Sequence, residues 1–329
     1  MEKISEKSNT AKMKFRNMSN LIRFIVSFGA IGAIVYLFRD HLPAVAANLT
    51  AMIPLYFFIS LALFFIGLIF IAVRLRLVLG VHDIRLSLRE SYYMNLIALF
   101  FNNVLPSSLG GEAVKAYYIY KQSNGKKESF GGVIVDRLIG LITLVLIGVF
   151  AILLFEQGLE SPKIIYSVII MCVITITITL LFFNDLIMKT VCSVHVPLLP
   201  VHFVDKLKEV YTAMHFYRKH KGLLGGAIAL SIMAQCFFVF TYFLLAKSLA
   251  IDIPVIFFAF FVPVIAILTL APSVNGVGVR EATYLFYVTE FTTADKALAL
   301  SLLTTFEIIL IGIIGGVFYA FCGGLSSKS

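Results

Sequence analysis

The sequence predicts an all-α polytopic membrane protein with about six full transmembrane helices and two oppositely oriented re-entrant helical hairpins, related as an inverted repeat. Three observations predict it. Hydrophobic residues make up 60% and charged residues only 14% of the 329 residues, whereas about a quarter of a soluble domain is charged. Apolar runs of about twenty residues, enough to cross a bilayer, recur along the chain. A pattern of helix breakers followed by charges occurs twice, as Pro106-Ser-Ser-Leu-Gly110-Gly-Glu-Ala-Val-Lys115-Ala116 and as Pro272-Ser-Val-Asn-Gly276-Val-Gly-Val-Arg280-Glu281-Ala282. Hydrocarbon tolerates such segments only where they line a protein cavity.

In chain order, residues 1–20 are polar and Lys-rich and read as a cytoplasmic tail. The run 21–38 reads as the first span of a single membrane domain covering 21–322. A basic stretch, an apolar core and small residues at Pro43-Ala-Val-Ala-Ala47 also follow the order of a secretory signal, but the length of the run favours a retained helix. Further spans are expected at 55–73, 133–155, 164–183, 223–246 and 297–321. The segments 91–121 and 253–291 differ, because Pro106 and Pro272 interrupt each as structural bends. The loop 184–222 contains an amphipathic stretch, in which Phe203, Val204, Leu207, Val210, Tyr211, Met214 and Phe216 alternate with basic residues. It reads as a helix on the inner leaflet or, equally, as a solvated linker helix. Residues 323–329 form a second cytoplasmic tail.

Orientation follows from the basic residues. Lys3, Lys7, Lys12, Lys14 and Arg16 precede the first run; Arg74, Arg76, Arg85 and Arg89 follow the second; Lys121, Lys126 and Lys127 follow the first bend; and six more lie between 184 and 222. Connections on the other side hold only Arg39, Lys163, Lys247 and Lys296. Both termini are therefore expected in the cytoplasm. The first hairpin then enters from the cytoplasm and the second from outside, so their bends approach the midplane from opposite faces.

Each bend leaves unpaired backbone N–H groups at the start of a new helix, an arrangement suited to anions. Around the first stand Asn102, Asn103, Gly110 and Gly111, with Glu112 and Lys115 sharing one helix face. Around the second, Asn275, Gly276 and Gly278 supply the flexible backbone, and Arg280 and Glu281 follow in the first turn. Asp136 and Arg137 lie early in the span from 133, and Glu307 lies well inside the last. A charge at the bilayer centre costs about 2.5–3.5 kcal/mol on insertion scales. The expectation is that Lys115, Arg137 and Arg280 meet Glu112, Asp136, Glu281 and Glu307 around one polar cavity that binds substrate. The competing expectation is that these charges only cross-link helices.

Other functions find little support. The net charge of +9 fits cytoplasmic loops and anionic headgroups, and no basic patch with stacking aromatics suggests nucleic acid. Cys172, Cys192, Cys236 and Cys322 form no CxxC pair, and the six histidines form no metal-binding cluster. No metal, cofactor or catalytic motif is expected, and so no enzyme.

At Asn102 to Glu112 with Lys115 after it, at Asp136-Arg137-x-x-Gly140, and at Pro272 to Glu281, the chain resembles the lysylphosphatidylglycerol synthase transmembrane family, a flippase-like membrane domain. The resemblance is to that domain standing alone, without the aminoacyl-transferase domain of the bifunctional members. It implies a translocase moving aminoacylated or other phospholipids, or polyprenyl-linked intermediates, between leaflets. The family often has Arg where Lys115 stands and a Pro-Gly-Gly-like bend in place of Pro-Ser-Val-Asn-Gly, which leaves headgroup choice open.

The function expected is therefore a lipid translocase, working by alternating access on a lipid with an anionic headgroup. A membrane-embedded transferase, or an accessory subunit in lipid or envelope glycan modification, is the alternative. The expected location is the cell inner membrane, with room for a partner synthase or transferase and for a homo-oligomer.

Overall fold

A computed structural model describes residues 42–105, 110–154, 162–183, 220–269 and 278–321, with the single positions 36, 39, 217 and 276. The described residues are helical, without strands. In order they form α1 (Leu42–Thr50), α2 (Pro54–Gly80), α3 (Leu88–Val104), α4 (Gly110–Gln122), α5 (Glu128–Leu154), α6 (Pro162–Phe183), α7 (Lys221–Ser248), α8 (Val255–Leu268), α9 (Val279–Val288) and α10 (Ala294–Phe321). By length and composition, four of these, α2, α5, α7 and α10, can cross a membrane. The expected span 164–183 falls in α6, and α8 is a shorter apolar helix. The run 21–38, apart from Tyr36, lies outside the described residues, as do both tails, Pro106, Pro272 and nearly all of 184–222.

Two boundaries differ from expectation in ways that matter. The helix beginning at Pro54, with proline in its first turn, continues to Gly80 and carries Arg74 and Arg76 inside it rather than in a loop. A hydropathy window stops at a charge, but helical hydrogen bonding does not when the charge finds a partner. Likewise α5 begins at Glu128, which puts Asp136 two turns inside the helix. The small-residue stretch Pro43–Ala47 is helical within α1, with Val45 buried in the main apolar cluster.

The long helices pack in antiparallel pairs. Along α2 and α7, Ser60 meets Thr241, Gly67 faces Phe238, Arg74 reaches Ser231 and Gly226 faces Leu77. Along α3 and α10, Asn103 meets Ile308, Leu96 faces Gly315 and Phe100 faces Gly316. Between α5 and α8, Gly148 faces Pro263. The main apolar core gathers Phe257, Phe258, Phe260 and Phe261 of α8 with Tyr284, Tyr287 and the start of α10.

Local chemistry sets the shorter helices. Ser87 and Glu90 form a reciprocal capping box at the start of α3. At the other end of α3, Asn102 Oδ1 accepts from the backbone N–H of Gly111, at 2.8 Å, so one limb caps the next. Gly111 is required there, because a Cβ would lie 1.9 Å from the carbonyl oxygen of Ala98. At the second bend Gly276 and Gly278 have φ of 76° and 85°, conformations that disfavour any side chain.

Candidate functional site

Four helices and the start of a fifth converge on a cavity of about 200 Å³. Arg74 comes from α2, Asn95 and Asn102 from α3, Glu112 and Lys115 from α4, Asp136, Arg137 and Gly140 from α5, and Gln235 from α7. Leu68, Ile71, Ala98, Leu99, Leu141 and Leu144 complete its wall.

The deepest element is an ion pair. Arg74 Nε lies 2.7 Å from Asp136 Oδ1 and Nη2 lies 3.2 Å from Oδ2, a two-pronged contact with both side chains buried. Arg74 Nη1 also donates to Ser231 at 2.7 Å, and Ser231 in turn contacts Thr143. Asp136 and Gly140, four apart, share one helix face. A Cβ at 140 would sit 3.0 Å from Arg74 Nη1, so the glycine makes room for the guanidinium. This gives the Asp136-Arg137-x-x-Gly140 spacing a physical reason.

Arg137 projects from a different face of α5 and is one-quarter exposed. Its Nη1 stands 3.6 Å from Glu112 Oε1, beyond good hydrogen-bond distance. Lys115 is buried, with Nζ 2.7 Å from Glu112 Oε2 and 3.2 Å from Asn95 Oδ1. The lining therefore holds three cations, Arg74, Lys115 and Arg137, against two carboxylates, Glu112 and Asp136, an excess of one positive charge.

The other expected site residues are placed elsewhere. Arg280, Glu281 and Glu307 are buried but do not line this cavity. Each bonds a different partner. Arg280 Nη1 donates to Thr305 at 3.0 Å, Glu281 Oε2 accepts from the backbone of Gly278 at 2.6 Å, and Glu307 contacts Ser60 at 2.8 Å. Of the seven charges expected around one cavity, four line it and three do not, because Glu281 caps its own helix and Arg280 turns toward α10. Asn103 donates to the carbonyl of Ile308, tying α3 to α10, and Gly110 packs on Leu105. Asn275 lies outside the described residues.

Three lining residues were not expected. By hydropathy Arg74 falls in a loop, although Leu75, Leu77, Val78 and Leu79 resume the apolar pattern behind it. Asn95 and Gln235 are single polar residues in apolar runs, and nothing local marks the direction in which they point.

No solved structure matches the chain. A UPF0104 membrane protein of Methanocaldococcus jannaschii is 28% identical over 264 residues, covering 74% of this chain and 76% of that protein. The family model described as the lysylphosphatidylglycerol synthase TM region matches residues 20–316, and with them α1 to α9 and most of α10. This chain belongs to that family of membrane proteins.

Proposed function

We propose that this protein is a lipid carrier that moves a phosphate-bearing lipid, an aminoacylated phospholipid or a polyprenyl-linked one, between leaflets by alternating access. The observation that carries this reading is the cavity with three cations against two carboxylates. Arg74 is held by Asp136 and Lys115 by Glu112, while the Arg137 guanidinium keeps donors for a phosphate oxygen. The volume suits a headgroup, leaving acyl or prenyl chains in the bilayer.

The helix order supports alternating access. A long helix, two short ones and a long one occur as α2 to α5 and again as α7 to α10. The leading helices α2 and α7 run antiparallel, and α3 packs on α10 as α8 packs on α5. That is the pattern of two units related by inversion. At about 1.5 Å per residue, α3, α4, α8 and α9 reach only about 26, 20, 21 and 15 Å, each short of a span of about 30 Å. In this reading α3–α4 and α8–α9 are re-entrant hairpins entering from opposite faces of the cell inner membrane, with both termini cytoplasmic.

The test is reconstitution of the purified protein in liposomes with headgroup-labelled phosphatidylglycerol, an aminoacylated phosphatidylglycerol or a polyprenyl phosphate. Transfer between leaflets above protein-free vesicles is expected for at least one of them, with the lipid chemically unchanged. Arg137→Ala should lose most of that transfer while remaining folded. Chemical modification of the lipid instead of movement would identify a transferase, and movement unaffected by Arg137→Ala would remove the cavity from the mechanism.

A further inference from the structure

Glu307 stands apart from the cavity, midway along α10, with its side chain 2% exposed. Its Oε1 lies 2.8 Å from Ser60 Oγ on α2, and the same Ser60 Oγ lies 2.7 Å from the carbonyl oxygen of Phe57. A serine hydroxyl has one hydrogen to donate, and the Phe57 carbonyl can only accept. Ser60 therefore shares its single hydrogen between the Glu307 oxygen and the Phe57 carbonyl, which satisfies a buried carboxylate poorly. An ionised Glu307 would leave two acceptors competing for one proton, in a setting where an unpaired buried charge is costly.

The surroundings provide no ion pair for the carboxylate among the described residues. Arg280 of α9 hydrogen-bonds Thr305. Tyr242 of α7 and Tyr284 of α9 are the other titratable groups that face this region, each within electrostatic reach of both Arg280 and Glu307. Tyr284 shares its hydroxyl with Thr304 at 2.8 Å. On α2 the facing polar group is Ser60 itself.

We propose that Glu307 is a proton-binding site through which lipid movement is coupled to proton movement, an inference that rests on the carrier reading above. Ser60 belongs to α2, which packs along α7, whereas Glu307 belongs to α10, which packs along α3. Through Ser60, which donates to the Glu307 carboxyl, the contact joins the two inverted units, α2–α5 and α7–α10. Relative movement of those units separates Glu307 from Ser60, and a carboxyl that reaches water releases its proton. Proton occupancy then biases the conformational equilibrium, and by reciprocity the conformation biases proton occupancy.

The experiment uses the full chain in vesicles of phosphatidylcholine and phosphatidylglycerol carrying fluorescent phosphatidylglycerol, with and without an imposed pH gradient. The wild type should translocate lipid several-fold faster in one gradient direction, with proton flux reported by an entrapped pH dye. Glu307→Gln, which keeps an acceptor for Ser60, should show no gradient dependence and lose the infrared band of a protonated buried carboxyl. Lipid movement indifferent to the gradient in the wild type, or an unchanged gradient response in Glu307→Gln, would overturn the coupling and leave the carrier reading standing. Absence of lipid movement in every condition would overturn the carrier reading and the coupling with it. The gradient arm on the wild type needs no variant to fold.

Discussion

At the level of single residues, the two faces of the Asp136-Arg137 pair do different work. Asp136 is committed to Arg74, 62 residues away in sequence and fully inside the protein. Arg137 lies at the cavity with a long contact and partial exposure. Arg74→Ala would leave the Asp136 carboxylate buried without its cation, an uncompensated charge that costs about 3–5 kcal/mol. The expected outcome is a clear fall in melting temperature in detergent, partly recovered in the Arg74→Ala/Asp136→Ala double variant. Equal melting of the single variant and the wild type would show that water reaches the carboxylate. Much of this site was legible from the chain alone: Glu112, Lys115, Asp136 and Arg137 were singled out by charge in apolar context, and all four line one cavity. Arg74 was not, because charge at the end of an apolar run looks the same whether it faces solvent or a buried partner.

Among the elements, α10 approaches α3 closely. Gly312 and Gly316 are four apart and Gly315 lies between them on the same side. Cβ atoms there would lie 1.9 Å from Asn103 Nδ2 at 312, 2.2 Å from the Leu96 carbonyl oxygen at 315 and 2.7 Å from the Phe100 ring at 316. Small residues at this spacing let membrane helices approach closely, where lipid gives no hydrophobic drive to pair them. Gly315→Leu would force the helices apart; overpacking costs about 1–3 kcal/mol or more, since the nearest obstacle is backbone. Thermal melting in detergent should drop for Gly315→Leu and much less for Gly222→Ala, where nothing lies within 4 Å of an added Cβ. That α3 ends at Val104 and α8 at Leu268 was readable from the prolines and glycines that follow, since turn chemistry is local. The extension of α2 to Gly80 was not, because it depends on Asp136 and on the Arg76 contact to the Leu86 carbonyl, both outside the helix.

Across the whole molecule, the repeated helix order and the antiparallel α2–α7 pair make orientation testable. In a cysteine-free background, Asn124→Cys, in the turn between α4 and α5, should be labelled only from the cytoplasmic side. Asp252→Cys, in the turn between α7 and α8, should be labelled only from outside. Labelling of both from one side would rule out the inverted arrangement. The sequence by itself determined that the chain is helical and membrane-embedded, where its apolar helices run and where they break, because hydropathy, proline and glycine act over a few residues. Helix packing decided how the charges divide: Arg74, Lys115 and Arg137 gather with Glu112 and Asp136 around one cavity, while Arg280, Glu281 and Glu307 stand away from it with separate partners. The reason is physical. Burying a charge requires a partner, and that partner is supplied by whichever helix packs alongside, not by the residues next to it in the chain.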